Sequence, residues 1–363
     1  MVFGLFKKKK EKAKNKFLEL EVKEIINETH DAVTLVFDPA EQNFHYLPGQ
    51  FVTLIFEIEG KEERRSYSLC SSPFTGDDPA VTIKRVADGK ISNFINDHIK
   101  AGDKIKVMPA MGNFITNPDA KTSRNVVVFG AGSGITPLIS IIKSILQIET
   151  GSRVILIYAN RNEETIIFRN LLDQLKEKFA NHLHTIHILS QPTVSWKGLA
   201  GRLTKETLKE ILMDLPDFSV QKSDYFLCGP TGFMHTVEET LDELKVAKSK
   251  VFKESFVSSG TEKDAATSSP EIIDRQVTVV LDNEEYEVGV PAKRTILESG
   301  LDQNLDMPFS CQSGLCTACR GKLLSGKVHM EESDGLSDEE LEKGYVLCCV
   351  SHPLTDDVKI EIG

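Results

Sequence analysis

The spacing of four cysteines constrains this chain more than any other feature. Cys311, Cys316 and Cys319 follow the pattern C-x4-C-x2-C, and Cys349 comes after 29 further intervening residues. Four thiolates can hold a 2Fe–2S cluster at this spacing, whereas structural zinc sites more often pair two C-x2-C units. Small residues around the cysteines let backbone N–H groups approach the sulfurs and tune the reduction potential. They are Ser310, Ser313, Gly314, Thr317 and Ala318.

The charge of the chain is concentrated in the same region. From Glu271 onward there are 19 acidic and 8 basic side chains, a difference of −11 that equals the net charge of all 363 residues. Such an acidic region argues against nucleic-acid binding and favours electrostatic steering toward a basic protein partner, although solubility alone is an alternative explanation. The N-terminus lacks the order of a signal peptide, so we expect a cytoplasmic protein and redox or metal chemistry rather than disulfides.

The length favours two or three domains, and the composition divides the chain further. Residues 1–16 contain seven lysines and one glutamate, which predicts a disordered basic tail. Its apolar start leaves weak contact with an anionic membrane surface as an alternative. Residues 258–273 are small and polar, and predict a flexible linker. No apolar run approaches the roughly 18 residues of a membrane span.

Residues 17–120 have the pattern of an antiparallel barrel. Short apolar or alternating segments are separated by turn residues, and one short helix is predicted over Ile91–Ile99. The predicted strands are Leu18–Val22, Ala32–Phe37, Phe51–Ile58, Ala80–Val86 and Lys104–Met108.

Residues 121–257 have a different rhythm, in which apolar strands alternate with helices, including one from about Glu163 to Phe179. This order predicts a parallel sheet covered on both faces. The predicted strands are Asn125–Phe129, Val154–Tyr158, His184–Leu189 and, as the last, Tyr225–Cys228. Residues 274–363 begin with a predicted strand pair and helix, contain the cysteine loop and end in a strand.

Two motifs in these regions have the chemistry of cofactor sites. A flavin needs a cation for its phosphates, a flat side chain against its ring and a hydrogen bond near N5, which Arg65, Tyr67 and Ser68 could supply. The run from Gly130 to Pro137, GAGSGITP, joins an apolar strand to a helix. Its glycines would let the backbone approach a pyrophosphate, but it lacks the G-x-G-x-x-G order of ordinary dehydrogenases. Each motif alone could also be an ordinary strand edge or tight turn.

The motifs together carry a family resemblance. The segment PFSCQSGLCTACRGKLLSGKV, with GYVLCCVSHPLTDD downstream, resembles a plant-type ferredoxin domain, which implies an α+β (β-grasp) fold. In that alignment Cys349 is the fourth ligand and Cys348 stands where the family commonly has threonine. The R-x-Y-S segment, the turn GKIS, the glycine loop and Cys228-Gly229-Pro230 resemble the ferredoxin–NADP reductase superfamily.

The resemblance implies roles for individual residues. The pyrophosphate site expected at the helix start favours FAD over the alternative FMN. Flavin binding is implied for Arg65, Ser66, Tyr67, Ser68, Leu69, Gly89, Lys90, Ile91, Ser92 and Phe256. Nucleotide binding is implied for Gly130, Gly132, Ser133, Gly134, Thr136, Gly229 and Pro230. Catalytic roles are implied for Ser68, Cys228 and Glu254. Arg161, at the end of the second parallel strand without an adjacent acid, favours NADPH over NADH.

The domain order resembles reductase components of bacterial oxygenases, of the phenylacetyl-CoA epoxidase type. The resemblance implies electron transfer from NAD(P)H through FAD and the 2Fe–2S cluster to a protein acceptor, an oxygenase component with a basic docking surface. Two alternatives keep the fold: a reductase for a lipid desaturase or hybrid-cluster protein, and a redox sensor without turnover.

Overall fold

The computed structural model describes residues 17–39, 44–215, 218–256, 272–309, 311–312, 314, 316–333, 335–336 and 338–362. The predicted basic tail lies outside these ranges, as does the predicted linker except its last two residues. In the ranges described, no helix has the length and apolar character needed to cross a membrane. The predicted domain boundaries stay predictions.

The first part of the chain forms a closed antiparallel barrel, as predicted. Six strands follow the order β4-β3-β6-β1-β2-β5, and Leu69, just after β4, pairs with Val81 of β5 and closes the barrel. The core is made by apolar side chains from the strands and from helix α1. The elements are β1 (Leu18–Thr29), β2 (Ala32–Asp38), β3 (Phe51–Ile58), β4 (Lys61–Ser68), β5 (Ala80–Lys84), α1 (Lys90–His98) and β6 (Lys104–Val107).

Strand β4 has no counterpart among the predicted strands. Its sequence, KEERRSYS, has no apolar alternation, and only Ser68 at its end is fully buried. It forms because β3 supplies a partner along its whole length, from Ile58↔Lys61 to Phe51↔Ser68. Pairing with a neighbour therefore overrides a polar sequence.

The second part is the predicted α/β unit. Its six parallel strands follow the order β10-β9-β8-β7-β11-β12, and an apolar core lies on each face of the sheet. The strands are β7 (Asn125–Ala131), β8 (Arg153–Asn160), β9 (Leu183–Leu189), β10 (Leu199–Ala200), β11 (Asp224–Cys228) and β12 (Val251–Glu254). The helices are α2 (Ile135–Ile148), α3 (Arg169–Lys178), α4 (Lys205–Asp214) and α5 (Thr231–Glu243).

This unit differs from prediction at two places. The helix predicted from about Glu163 starts as a single 3-10 turn, and α3 begins only at Arg169 because Phe168 has a left-handed backbone with φ of 63°. The predicted last strand, β11, is followed by β12, which pairs with it in parallel. The second difference matters for function, since β12 carries Glu254.

Helix α2 joins the α/β unit to the barrel through hydroxyl groups. The fully buried Ser140 donates from Oγ to the carbonyl oxygen of Ser71 at 2.5 Å, and the Oγ atoms of Ser144 and Ser72 lie 2.7 Å apart. Lys143 forms an ion pair with Asp77 on the barrel side. The polar residues of α2 thus add hydrogen bonds and an ion pair to the apolar packing between this helix and the barrel.

The third part has the predicted α+β fold. A five-stranded sheet follows the order β14-β13-β19-β15-β17, with β13 and β19 parallel and the other neighbours antiparallel. Helix α6 starts at a capping box formed by Thr295 and Glu298. The elements are β13 (Arg275–Leu281), β14 (Glu284–Val290), α6 (Ile296–Asp302), β15 (Arg320–Ser325), β16 (Val328–Met330), α7 (Asp338–Glu342), β17 (Tyr345–Leu347), β18 (Ser351–Pro353) and β19 (Lys359–Ile362).

Candidate functional site

Except for Phe256, the predicted flavin residues lie on or next to β4 and at the start of α1. The Arg65 side chain is half exposed, and its Nη1 donates to the carbonyl oxygen of Arg64 at 2.6 Å. Burial raises the pKa of the Tyr67 phenol, which indicates a water-poor environment around its ring. Gly89 is the N-cap of α1, so the first N–H groups of that helix have no acceptor inside the helix. A cation, a ring and a helix N-terminus are therefore available on one domain.

Several predicted flavin residues use their side chains within the barrel instead. Leu69 and Ile91 belong to its core, and the Oγ of Ser92 accepts a hydrogen bond from the N–H of Val86 at 3.1 Å. The Oγ of Ser66 lies 3.1 Å from that of Thr53, and Lys90 forms ion pairs with two glutamates. For Leu69, Ile91 and Ser92, the groups that remain for a ligand are backbone groups.

The glycine loop sits between β7 and α2, at the carboxyl edge of the parallel sheet. Gly132 has a left-handed backbone with φ of 54°, and its carbonyl oxygen accepts from the Tyr158 hydroxyl at 2.9 Å. Thr136 donates to the carbonyl oxygen of Ser133 at 3.0 Å. A Cβ atom on Gly134 would lie 2.1 Å from the carbonyl oxygen of Cys228. Only glycine allows this approach between the loop and the end of β11.

Gly130, Gly229 and Pro230 complete this edge. Gly130 pairs with Cys228 in the sheet, and a Cβ atom on Gly229 would lie 2.9 Å from the Cβ of Ala131. Pro230 is the N-cap of α5. The loops that begin at Gly130 and Cys228, 98 positions apart along the chain, thus meet side by side.

Three predicted catalytic residues converge where the barrel meets the α/β unit. Ser68 Oγ donates to Glu254 Oε2 at 3.3 Å, and Glu254 is in register with Cys228 across β12 and β11. Burial raises the pKa of Glu254 to about 8, and the hydrogen bond from Ser68 opposes this shift. Burial also raises the pKa of the Cys228 thiol, as does the negative charge of Glu254. At neutral pH the carboxyl and the thiol therefore both hold their protons.

The four cysteines of the predicted cluster also come together. The thiol of Cys316 is hydrogen-bonded to that of Cys311, and the thiol of Cys349 reaches those of Cys311 and Cys319. In the part of the chain that is described, no three His, Cys, Asp or Glu side chains are arranged to hold a single metal ion. Four thiols in mutual contact supply the ligand set that a 2Fe–2S centre requires.

The two neighbouring cysteines differ in orientation. Cys348 is fully buried in the domain core, close to Gly321, whereas the thiol of Cys349 faces the other cluster cysteines. Gly314 has a left-handed backbone with φ of 75°, and a Cβ atom there would lie 2.8 Å from the Cβ of Glu332. Ser310 and Ser313 lie outside the described residues.

Two predicted residues lie at the margin of the site. Arg161 is exposed just after β8, and its carbonyl oxygen accepts from the N–H of Gln191 at 2.7 Å. Phe256, two residues after Glu254, has 43% of its surface exposed. Sequence reasoning missed the contacts between the barrel and the cluster domain, in which Arg64 and Asn113 take part. The position of Arg64 directly before the R-x-Y-S motif was the available signal.

Three family models match the chain in the order of the three structural parts. They are the oxidoreductase FAD-binding domain at residues 18–115, the oxidoreductase NAD-binding domain at 128–239 and the 2Fe-2S iron-sulfur cluster binding domain at 279–354. The ferredoxin reductase component of 3-ketosteroid-9-alpha-monooxygenase from Rhodococcus rhodochrous is 37% identical over 352 residues, which cover 94% of this chain and 96% of that protein. The chain belongs to the oxygenase reductase family.

Other relatives agree with this membership. One of the subunits of 1,2-phenylacetyl-CoA epoxidase from Escherichia coli is 35% identical, with 95% of this chain and 97% of that protein covered. The structure of phthalate dioxygenase reductase matches with a TM-score of 0.61 at 22% identity, covering 95% of this chain and 98% of that one, and so supports the fold. The predictions of an oxidoreductase with FAD, a pyridine nucleotide and a 2Fe–2S cluster are confirmed at the level of domain type.

Proposed function

We propose that this oxygenase reductase delivers electrons from NAD(P)H, one at a time, to the oxygenase component of a two-part enzyme system. The observation that carries the proposal is the convergence of Ser68, Cys228 and Glu254 at the junction of the flavin and nucleotide domains. A bound flavin would supply the conversion of a two-electron hydride donor into single electrons, and a bound 2Fe–2S cluster would supply one-electron transfer.

The residues at the junction would hold the reactants and a proton. Arg65 and the free N–H groups at the start of α1 suit the phosphates of FAD, while Tyr67 offers a ring in a water-poor setting. Protonated Glu254 accepts from Ser68 through one oxygen and keeps a proton at neutral pH. The buried Cys228 thiol, in the neutral form, leaves the nicotinamide side of the junction uncharged.

The glycine loop and the N-terminus of α5 would bind the nucleotide. The close approach of Gly134 to the backbone of Cys228 leaves the N–H groups at the start of α2 near the end of β11. Arg161 supports NADPH as the coenzyme, because its exposed guanidinium can pair with a 2′-phosphate. Arg161→Ala should then raise KM for NADPH about tenfold or more and leave KM for NADH within about twofold. Equal effects on both coenzymes would remove Arg161 from this role.

Cys311, Cys316, Cys319 and Cys349 are the proposed cluster ligands. Their mutual thiol contacts support this set, and the packing of the Cys348 thiol against Gly321 favours Cys349 over Cys348 as the fourth ligand. The surrounding domain supplies small residues and an acidic surface that includes Glu331, Glu339 and Glu342.

That acidic surface supports a basic docking site on the oxygenase. Opposite charges raise the rate of encounter at low salt, and the gain falls as ionic strength rises. We expect electron transfer to the acceptor to slow with added salt, whereas reduction of the flavin by NAD(P)H should change little.

Anaerobic titration with NADH and with NADPH, followed by visible absorption and electron paramagnetic resonance, tests the proposal. Bleaching of the flavin should be accompanied by the signal of a reduced 2Fe–2S cluster. A flavin that bleaches while the cluster stays oxidised would contradict the proposed electron path. Electron transfer to cytochrome c, with none to any oxygenase component, would contradict the proposed acceptor.

A further inference from the structure

The cluster domain rests on the flavin barrel through contacts at the cluster loop itself. Arg64, on β4, donates from Nη1 to the carbonyl oxygen of Phe309 at 3.0 Å, and its guanidinium carbon lies 4.1 Å from the centre of the Phe309 ring. Phe309 is two residues before Cys311, and Arg64 is directly before Arg65. One side chain therefore connects β4, which carries the predicted flavin residues, to the start of the cluster loop.

A second contact from the barrel supports the middle of the same loop through Gly335. Asn113 donates from Nδ2 to the carbonyl oxygen of Gly335 at 3.2 Å. The N–H of Gly335 in turn donates to the carbonyl oxygen of Gly314, which lies between Cys311 and Cys316, at 2.8 Å. The barrel thus contacts the residue before the cluster loop directly, through Arg64, and is linked to Gly314 between the first two cysteines indirectly, through Gly335.

The environment of Arg64 differs from that of an ordinary surface arginine. Only 12% of its side chain is exposed, which is unusual for arginine. The ion pair with Glu62 at 2.6 Å holds the guanidinium in place within the strand, while the stacking and the hydrogen bond reach a residue 245 positions away. Planar stacking combined with directional hydrogen bonding is what a guanidinium offers and an ammonium does not.

We propose that Arg64 and Asn113 form a two-point clamp that positions the cluster loop against the flavin barrel and so sets the rate of electron transfer between flavin and cluster. Interfaces between domains of one chain are generally small and open readily. A few contacts therefore decide in what fraction of the molecules the cluster domain is docked on the barrel. Both are positioning residues, since Arg64 contacts Phe309 at the start of the loop and Asn113 contacts Gly335, which supports Gly314 in the loop. The predicted effect on the rate of electron transfer rests on the proposed function. The predicted docking of the cluster domain on the barrel rests on the contacts alone.

Rapid mixing of holoprotein with NAD(P)H under anaerobic conditions separates the two steps. In Arg64→Ala and Asn113→Ala, flavin bleaching should keep its wild-type rate, while cluster reduction slows about threefold in each and about tenfold or more in the double variant, where tenfold corresponds to about 1.4 kcal/mol. Arg64→Lys should resemble Arg64→Ala even though lysine keeps the positive charge, because an ammonium group lacks the planar stacking on Phe309. Lys106→Ala is the matched control: Lys106 Nζ lies 3.9 Å from the centre of the Phe17 ring and 3.6 Å from Glu62 Oε2, on the same face of the barrel.

Hydrogen–deuterium exchange of the same holoproteins supplies a readout that needs no electron transfer. Peptides covering β4 and residues 304–316 should exchange faster than in wild type in the Arg64 and Asn113 variants. The exchange rates of the same peptides should be unchanged in Lys106→Ala. Unchanged exchange in the double variant would overturn the clamp, even if wild-type protein failed to accept electrons from NAD(P)H. Faster exchange with an unchanged rate of cluster reduction would overturn its role in electron transfer. If NAD(P)H failed to bleach the flavin of the wild-type protein, the result would contradict the proposed function but not the clamp.

Discussion

Replacing Glu254 by glutamine tests the buried carboxyl group that joins the barrel to the α/β unit. The pKa of Glu254 is raised from 4.5 to about 8, mainly by burial, and its side chain is 6% exposed. Glutamine has nearly the same shape, can still accept from Ser68, and never ionises. The variant therefore removes the charge that this position develops at high pH and leaves the packing in place.

The magnitude and sign follow from proton linkage. Raising the pKa from 4.5 to about 8 corresponds to about 5 kcal/mol, as an order of magnitude. Because the folded protein holds this proton more tightly than the unfolded chain, the stabilising contribution of protonated Glu254 is complete below pH 4.5. It is lost as the pH rises to about 8 and changes no further above that value. Glu254→Gln should lack this loss, so its stability relative to wild type should rise across that window.

Two measurements on flavin-free protein check this prediction. The infrared difference spectrum between wild type and Glu254→Gln should contain a protonated carboxyl band that disappears with a midpoint near pH 8. Thermal unfolding of the two proteins should diverge between pH 5 and pH 8, with Glu254→Gln the more stable at the upper end. A carboxyl band that titrates near 4.5, or a stability difference that is independent of pH, would refute the argument from burial.

Two further predictions concern the other sites. Cys349→Ala should abolish 2Fe–2S absorption and the electron paramagnetic resonance signal of the reduced protein. Cys348→Ala should retain both signals and lose about 1 kcal/mol of stability, because Cys348 packs in the core. Loss of the cluster only in Cys348→Ala would reverse the assignment. Gly134→Ala should destabilise the nucleotide domain by about 1–3 kcal/mol in urea unfolding, since its Cβ would meet the Cys228 carbonyl oxygen at 2.1 Å. A Cβ on Gly232 meets nothing within 4 Å, so Gly232→Ala should be neutral or slightly stabilising in the same assay. Equal stability of the two alanine variants would contradict the close approach.

Local patterns accounted for most of the architecture. Alternating short strands predicted the barrel, and apolar strands between helices predicted the parallel sheet, because both depend on periodicities that are visible in the sequence. Polar strand β4 escaped this reasoning, since its pairing partner rather than its residues decides its conformation. The break before α3 escaped it as well, because a left-handed backbone at Phe168 leaves no mark in hydrophobic periodicity.

The sequence by itself determined the parts of the function that are encoded in short spacings: three cysteines within nine residues, a glycine loop between strand and helix, and a cation and a ring two positions apart. Only the tertiary structure decided which distant groups meet. Ser68 and Glu254 are 186 positions apart, and Arg64 and Phe309 are 245 apart. Their contacts arise from the packing of whole domains, and burial at those contacts raises the Glu254 pKa and keeps Arg64 largely out of solvent. Spacing along the chain carries no information about such packing.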